Sequence, residues 1–118
     1  MDERDGRVAI IDYKSSAVRD QKEADRKARE SLQLAIYALA HDQMTGRIPD
    51  AVELHFLESG LVGGARKAAA DLEETRDTIG KVARGIRARE FTATPGYIQC
   101  GYCAFREICP STAYREAE

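Results

Sequence analysis

The chain has 118 residues, 32% of them charged, and a formal net charge of −2. This length suits one small domain with a modest core, and the balanced charge excludes a polyanion binder that works by bulk positive charge. No apolar run reaches membrane-spanning length and no secretory signal is seen, so a cytoplasmic protein without a membrane partner is expected.

Asp5-Gly6 is a turn signal. A strand before it would form a hairpin, but Met1–Arg4 leaves no room for one. Val8–Ile11 is a short apolar run of buried-strand type, and Asp12 and Lys14 stand at its end. Side chains alternate along a strand, so these two share a face. Two readings follow. The pair is a surface ion pair at a strand end, or a carboxylate for a hard divalent cation beside a positive charge for a reacting phosphate.

Residues 16–21 form a polar connection. One long helix is predicted over Lys22–Met44, burying Ala24, Ala28, Leu32, Ala35, Ile36 and Leu39. Gly46 ends it, and Pro49-Asp50 opens the next element. Gln33 and Tyr37 are four apart and share a helix face, with Arg26, Arg29 and Glu30 on or near the same stripe. On residue type alone they are a structural glutamine and a core-edge tyrosine, or a pair of hydrogen-bonding groups for a phosphate.

Ala51–Leu57 alternates Val52, Leu54 and Phe56 with Glu53 and His55, the pattern of a half-buried strand. Ser59–Gly64 reads as a flexible loop. A second helix is predicted over Arg66–Glu90, with a seam of Leu72, Thr75, Ile79, Val82 and Ile86. From Thr92 the chain reads as irregular. Cys100, Cys103 and Cys109 follow C-x2-C-x5-C, which fits zinc, an iron–sulfur cluster, or three unliganded thiols. Strand, helix, strand, helix makes an α/β fold. The expected organisation is one partial domain, with an α/β core over 1–91 and a cysteine-rich tail over 92–118.

Asp12-Tyr13-Lys14-Ser15 after an apolar strand, Gln33-Leu-Ala-Ile-Tyr37, and Cys100-Gly-Tyr-Cys103-Ala-Phe-Arg-Glu-Ile-Cys109-Pro110 occur in that order. Together they resemble the RecB-like branch of the PD-(D/E)XK nucleases, from Gly6 to Pro110. The likeness is to members with an iron–sulfur cluster, such as AddB-type subunits and nuclease domains fused to UvrD-like helicases. The resemblance implies an incomplete restriction-endonuclease-like core and a DNA exonuclease dependent on Mg²⁺ or Mn²⁺. Such an enzyme works with a helicase motor in double-strand break repair.

Under the same resemblance, Asp12 and the backbone carbonyl of Tyr13 hold the metal, and Lys14 is the catalytic lysine. Gln33 and Tyr37 line the site and, with Arg26, contact DNA. Cys100, Cys103 and Cys109 supply three ligands of a [4Fe–4S] cluster whose fourth lies upstream. The family's first carboxylate belongs on the preceding strand, and its position falls before Met1. Asp2, Glu3 and Asp5 belong to a loop and do not replace it. The chain is therefore expected to be the C-terminal part of a nuclease domain, inactive alone. Two alternatives are a non-catalytic DNA-binding or scaffold remnant and a zinc-stapled interaction module.

Overall fold

Arg4 and Arg7 face each other across the two-residue turn Asp5-Gly6. Both turn residues have positive φ, 50° and 77°. Tight hairpin turns that match the strand twist need this, and glycine adopts it without a Cβ penalty. Asp2–Arg4 (β1) thereby pairs antiparallel with Arg7–Lys14 (β2), with Asp2 opposite Ala9 and Glu3 opposite Val8. The expectation that no strand fits before the turn is overturned. The turn backbone sets this pairing, so three charged residues suffice.

The computed structural model describes residues 1–114; the last four residues of the cysteine tail lie outside the described residues. The single helix expected over Lys22–Met44 is two helices, Gln21–Glu30 (α1) and Leu32–Thr45 (α2). Asp20 caps α1 by accepting from the Glu23 N–H. Ser31, in extended backbone, caps α2 by accepting from the Leu34 N–H. A serine that satisfies the first N–H groups of a new helix ends the old one. The break also resets the helical phase. Ala24 and Ala28 are buried as expected, but α2 buries Leu34, Ala35, Ala38 and Leu39. Leu32 and Ile36 stay 51% and 38% exposed. Gly46, at φ 71°, ends α2 as the sequence predicts.

Ala51–Phe56 (β3) alternates as expected, burying Val52, Leu54 and Phe56. It lies parallel to β2, with Asp12 opposite Leu54 and Lys14 opposite Phe56. Val62–Ala65 (β4) returns antiparallel to β3. Most of β4 falls in the segment read as a flexible loop. Its two glycines conceal a strand whose pairing comes from β3. The sheet order is β1-β2-β3-β4. Ile10, Val52, Leu54 and Phe56 meet Ala24, Ala28, Leu34, Ala38 and Leu39 in one core. Leu34 and Val52 are fully buried, which contributes about 1.5–3 kcal/mol each.

Ala69–Arg87 (α3) buries Leu72 and Thr75. The rest of its predicted seam, Ile79, Val82 and Ile86, is exposed. Among the described residues, 1–82 and 83–114 fall into two compact units. The second contains Tyr97–Tyr102 (α4), where the Tyr97 and Tyr114 rings stack with centroids 4.6 Å apart. Tyr114 Oη also donates to the Tyr97 carbonyl at 2.8 Å. Among the described residues, no helix is long and apolar enough to cross a membrane.

Asp50 ties the start of β3 to the hairpin. Its Oδ2 accepts from the Val8 N–H at 2.7 Å and from Arg47 Nη2 at 2.7 Å, while Arg47 also donates to the Gly6 carbonyl. The Val8 N–H, more than the Arg47 charge, holds the Asp50 carboxyl below its ordinary value. A carboxylate with a depressed folded pKa contributes stability above its unfolded pKa and loses it as pH falls through the folded one. Asp50→Asn is therefore expected to lower the urea midpoint at pH 7. The deficit should shrink once pH falls below about 4, where the unfolded aspartate takes up its proton. A deficit equal at pH 7 and pH 3 would show that the charge is irrelevant.

Candidate active site

Alternation along β2 puts Val8, Ile10, Asp12 and Lys14 on the face that packs against the helices. Val8 and Ile10 are buried there. Asp12 and Lys14 emerge from this apolar floor at the strand's C-terminal end, with side chains 20% and 38% exposed. Helix α2 brings Gln33 to the same place. Lys14 Nζ lies 2.8 Å from Asp12 Oδ2 and donates to Gln33 Oε1 at 3.0 Å. Gln33 Nε2 in turn donates to Tyr37 Oη at 2.9 Å. Asp12, Lys14, Gln33 and Tyr37 thus form one continuous polar chain from strand to helix.

The chain has a direction. An ammonium is donor-only, so the glutamine atom facing Nζ must be oxygen. Its amide nitrogen then faces Tyr37, whose oxygen accepts. The Tyr37 O–H proton is left to point elsewhere, and the residue is 42% exposed. A donor is therefore offered outward beside a fixed ammonium, the pairing that suits a phosphate oxygen.

Asp12 Oδ2 is sealed from solvent. Lys14 approaches it closely but off the hydrogen-bond angle, so this buried oxygen has an ion-pair neighbour and no hydrogen-bond partner. Such an orphaned carboxylate oxygen fits a cation ligand. Mg²⁺ and Mn²⁺ take oxygen ligands, and Mg²⁺ is commonly held by one or two carboxylates, substrate phosphate and retained water. Asp12 fits as one such ligand. Among the described residues, no group of three or more His, Cys, Asp or Glu side chains is placed to hold a metal ion.

The upstream acids do not complete the set. Asp2 and Glu3 lie on β1 rather than in a loop, but opposite Ala9 and Val8. Glu3 shares Asp12's face at a remove of four residues along β2, or about 13 Å. Asp2 lies on the other face and ion-pairs with Arg4 Nε at 3.0 Å. Asp5 occupies the turn.

Tyr13 points its side chain to the uncovered face, edge-on to His55 with centroids 5.5 Å apart. His55 Nε2 there meets Glu53 Oε1 at 2.9 Å. Arg26 does not join the polar chain; it ion-pairs one turn along with Glu30 at 3.4 Å. His41, one turn beyond Tyr37, is engaged by the Arg47 carbonyl at 2.7 Å.

The expected convergence of Cys100, Cys103 and Cys109 on one cluster is not met. The thiols of Cys100 and Cys103 are engaged separately. Cys100 Sγ accepts from the Ala113 N–H at 3.5 Å, and Cys103 Sγ from the Phe105 N–H at 3.4 Å. The Ala113 N–H is the main cause that holds the Cys100 thiol below its ordinary value. The donor set as placed does not fit an iron–sulfur cluster.

Sequence reasoning assigned no role to Asp25. Its Oδ1 accepts from the Gly64 N–H at 3.0 Å and from Gln21 Nε2 at 2.9 Å, docking α1 on β4. A surface-type aspartate in a charged helix carries no signal of this, because its partner is backbone.

A family model described as the PD-(D/E)XK nuclease superfamily matches residues 1–110. Neither a curated protein nor a solved structure matches the chain.

Proposed function

Because the chain belongs to the PD-(D/E)XK nuclease superfamily, we propose that it forms the C-terminal part of the nuclease domain of a metal-dependent DNA exonuclease of the RecB-like branch. Such a nuclease would serve a helicase motor during double-strand break repair. The observation that carries this reading is the continuous polar chain Asp12–Lys14–Gln33–Tyr37 at the mouth of β2.

Each residue has a distinct task in hydrolysing a phosphodiester. Asp12 and the Tyr13 carbonyl are the oxygens that would hold Mg²⁺ or Mn²⁺. When bound, the ion supplies Lewis-acid stabilisation of the phosphate and a lowered pKa for water. Lys14 keeps a fixed ammonium beside the phosphate, where negative charge grows during attack. Gln33 holds that ammonium in place, and Tyr37 donates to a backbone phosphate oxygen. Arg26, exposed on α1, adds a phosphate contact.

One carboxylate is a sparse ligand set, and the resemblance places a second on a strand preceding β2. This favours the second reading, a non-catalytic DNA-binding remnant, for the 118-residue chain by itself. Linear double-stranded and single-stranded DNA with Mg²⁺ separates the two. The 118-residue chain and a form extended by its native upstream sequence are assayed side by side. Metal-dependent degradation is expected from the extended form alone. Degradation by neither form supports the remnant. Degradation by the 118-residue chain would make Asp2, Glu3 or Asp5 a ligand, against their positions on β1 and in the turn.

A further inference from the structure

Helix α1 carries Lys22, Arg26 and Arg29 at spacings of four and three. At 3.6 residues per turn these three fall within about 60° of one another. All three are exposed. With Arg19 just before the helix they rim a groove of about 600 Å³. The groove also contains Asp20, Glu23 and Asp25, which would seem to cancel the charge.

Each of those acids is already engaged by backbone. Asp20 Oδ1 accepts from the Glu23 N–H at 2.8 Å, Glu23 Oε2 from the Arg19 N–H at 2.9 Å, and Asp25 Oδ1 from the Gly64 N–H at 3.0 Å. The same N–H groups of Arg19 and Gly64 are the leading causes that hold the Glu23 and Asp25 carboxyls below their ordinary values. These carboxylates are thus structural ties, turned toward caps and β4. Among the described residues, neither Lys22 nor Arg29 has a side-chain ion-pair partner within contact distance, and Arg26 has only Glu30, one turn on, at 3.4 Å.

We propose that the α1 groove is a phosphate track that holds the backbone of the DNA strand leading to the Asp12–Lys14 site. The proposal rests on the nuclease reading above. Its physical basis is a row of cations along one helix face, matched to a repeating anion and lacking groups that read a base. The track is also continuous in the chain with both halves of the site. Lys14 ends β2 six residues before Asp20 caps α1, and only Ser31 separates α1 from α2, which carries Gln33 and Tyr37. Binding there is sequence-independent and steeply salt-dependent.

The test is fluorescence anisotropy of labelled oligothymidylate with the full 118-residue chain, across a salt series and without divalent metal. Lys22→Ala/Arg29→Ala is expected to weaken binding about tenfold or more at low salt, and to flatten the salt slope by about 1.4, two single-strand phosphate contacts. Lys27→Ala is the charge control, since Lys27 lies about 100° further round the helix from Arg26; it should bind as the unsubstituted chain does. Lys22→Arg/Arg29→Lys should restore most of the affinity. Equal binding by the double alanine variant, or an equal loss in Lys27→Ala, overturns the track and leaves the nuclease reading standing. Competition by polyglutamate as effective as unlabelled oligothymidylate also overturns it, in favour of an acidic-polypeptide site. If the unsubstituted chain binds no DNA at any salt, the nuclease reading falls with the proposal.

Discussion

Lys14→Ala is expected to reduce DNA cleavage by the upstream-extended protein about a hundred- to a thousandfold while leaving the protein folded. The ammonium sits 2.8 Å from Asp12 Oδ2 and donates to Gln33 Oε1 at 3.0 Å, so it is held between an anionic neighbour and one acceptor before substrate arrives. A positive charge fixed in advance needs no reorganisation when charge develops on the phosphate, and removing such a group costs about 10²–10³ in rate. The loss should fall on the chemical step. Single-turnover cleavage should drop, with DNA affinity altered far less, if the proposed α1 cations supply the binding. Stability should change little, because the side chain is 38% exposed and leaves no apolar cavity.

Asp12→Asn is expected to be as damaging to cleavage, by removing the orphaned anionic oxygen. Gln33→Leu should give an intermediate loss, because the ammonium remains but loses its anchor. A Lys14→Ala variant within tenfold of the unsubstituted rate would remove the lysine from the mechanism.

Gly63→Ala is expected to destabilise the first unit by about 3 kcal/mol or more, at the upper end of overpacking effects. Gly63 is buried in β4 opposite Leu54, where α1 crosses the strand. A Cβ there would overlap the carbonyl group of Ala24 and come within 3.1 Å of the Asp25 nitrogen. These are backbone atoms, so no rotamer change relieves the contact. Either α1 or β4 must move, and the Gln21, Asp25 and Gly64 ties move with it.

Against a domain stability of about 5–15 kcal/mol, such a loss is large. Gly64→Ala is the internal comparison, since a Cβ at Gly64 meets nothing within 4 Å. Urea unfolding should place Gly64→Ala within about 1 kcal/mol of the unsubstituted protein, in the range of ordinary surface changes. Equal midpoints for the two variants would mean that α1 does not press on β4.

Where an element's signal was local, the sequence alone determined it. The apolar run Val8–Ile11 fixed β2, and strict alternation fixed which side chains of β3 are buried. The period of two placed Asp12 and Lys14 on one face. The four-residue spacing of Gln33 and Tyr37 held because both residues lie beyond the break at Ser31. Gly46 stopped α2 where a left-handed residue was needed. These features depend on neighbours a few residues apart.

Tertiary structure decided what pairing and packing impose from a distance. Asp2–Arg4 has no strand signature, and becomes β1 only because the Asp5-Gly6 turn folds it onto Arg7–Ala9. Val62–Ala65 contains two glycines and reads as a loop, yet β3 pairs it and α1 demands a residue without a Cβ at its centre. Ser31 lies within a helical pattern, and its capping role appears only with α2 turned onto the sheet, which exchanges Leu32 and Ile36 for Leu34 and Ala38 in the core. The seam of α3 shows the converse: Ile79, Val82 and Ile86 have helical spacing but stay exposed among the described residues. The polar chain itself belongs to both levels. Sequence placed its two halves on the correct faces, and the parallel pairing of β2 with β3, with α2 across them, brought Lys14 within hydrogen-bonding distance of Gln33.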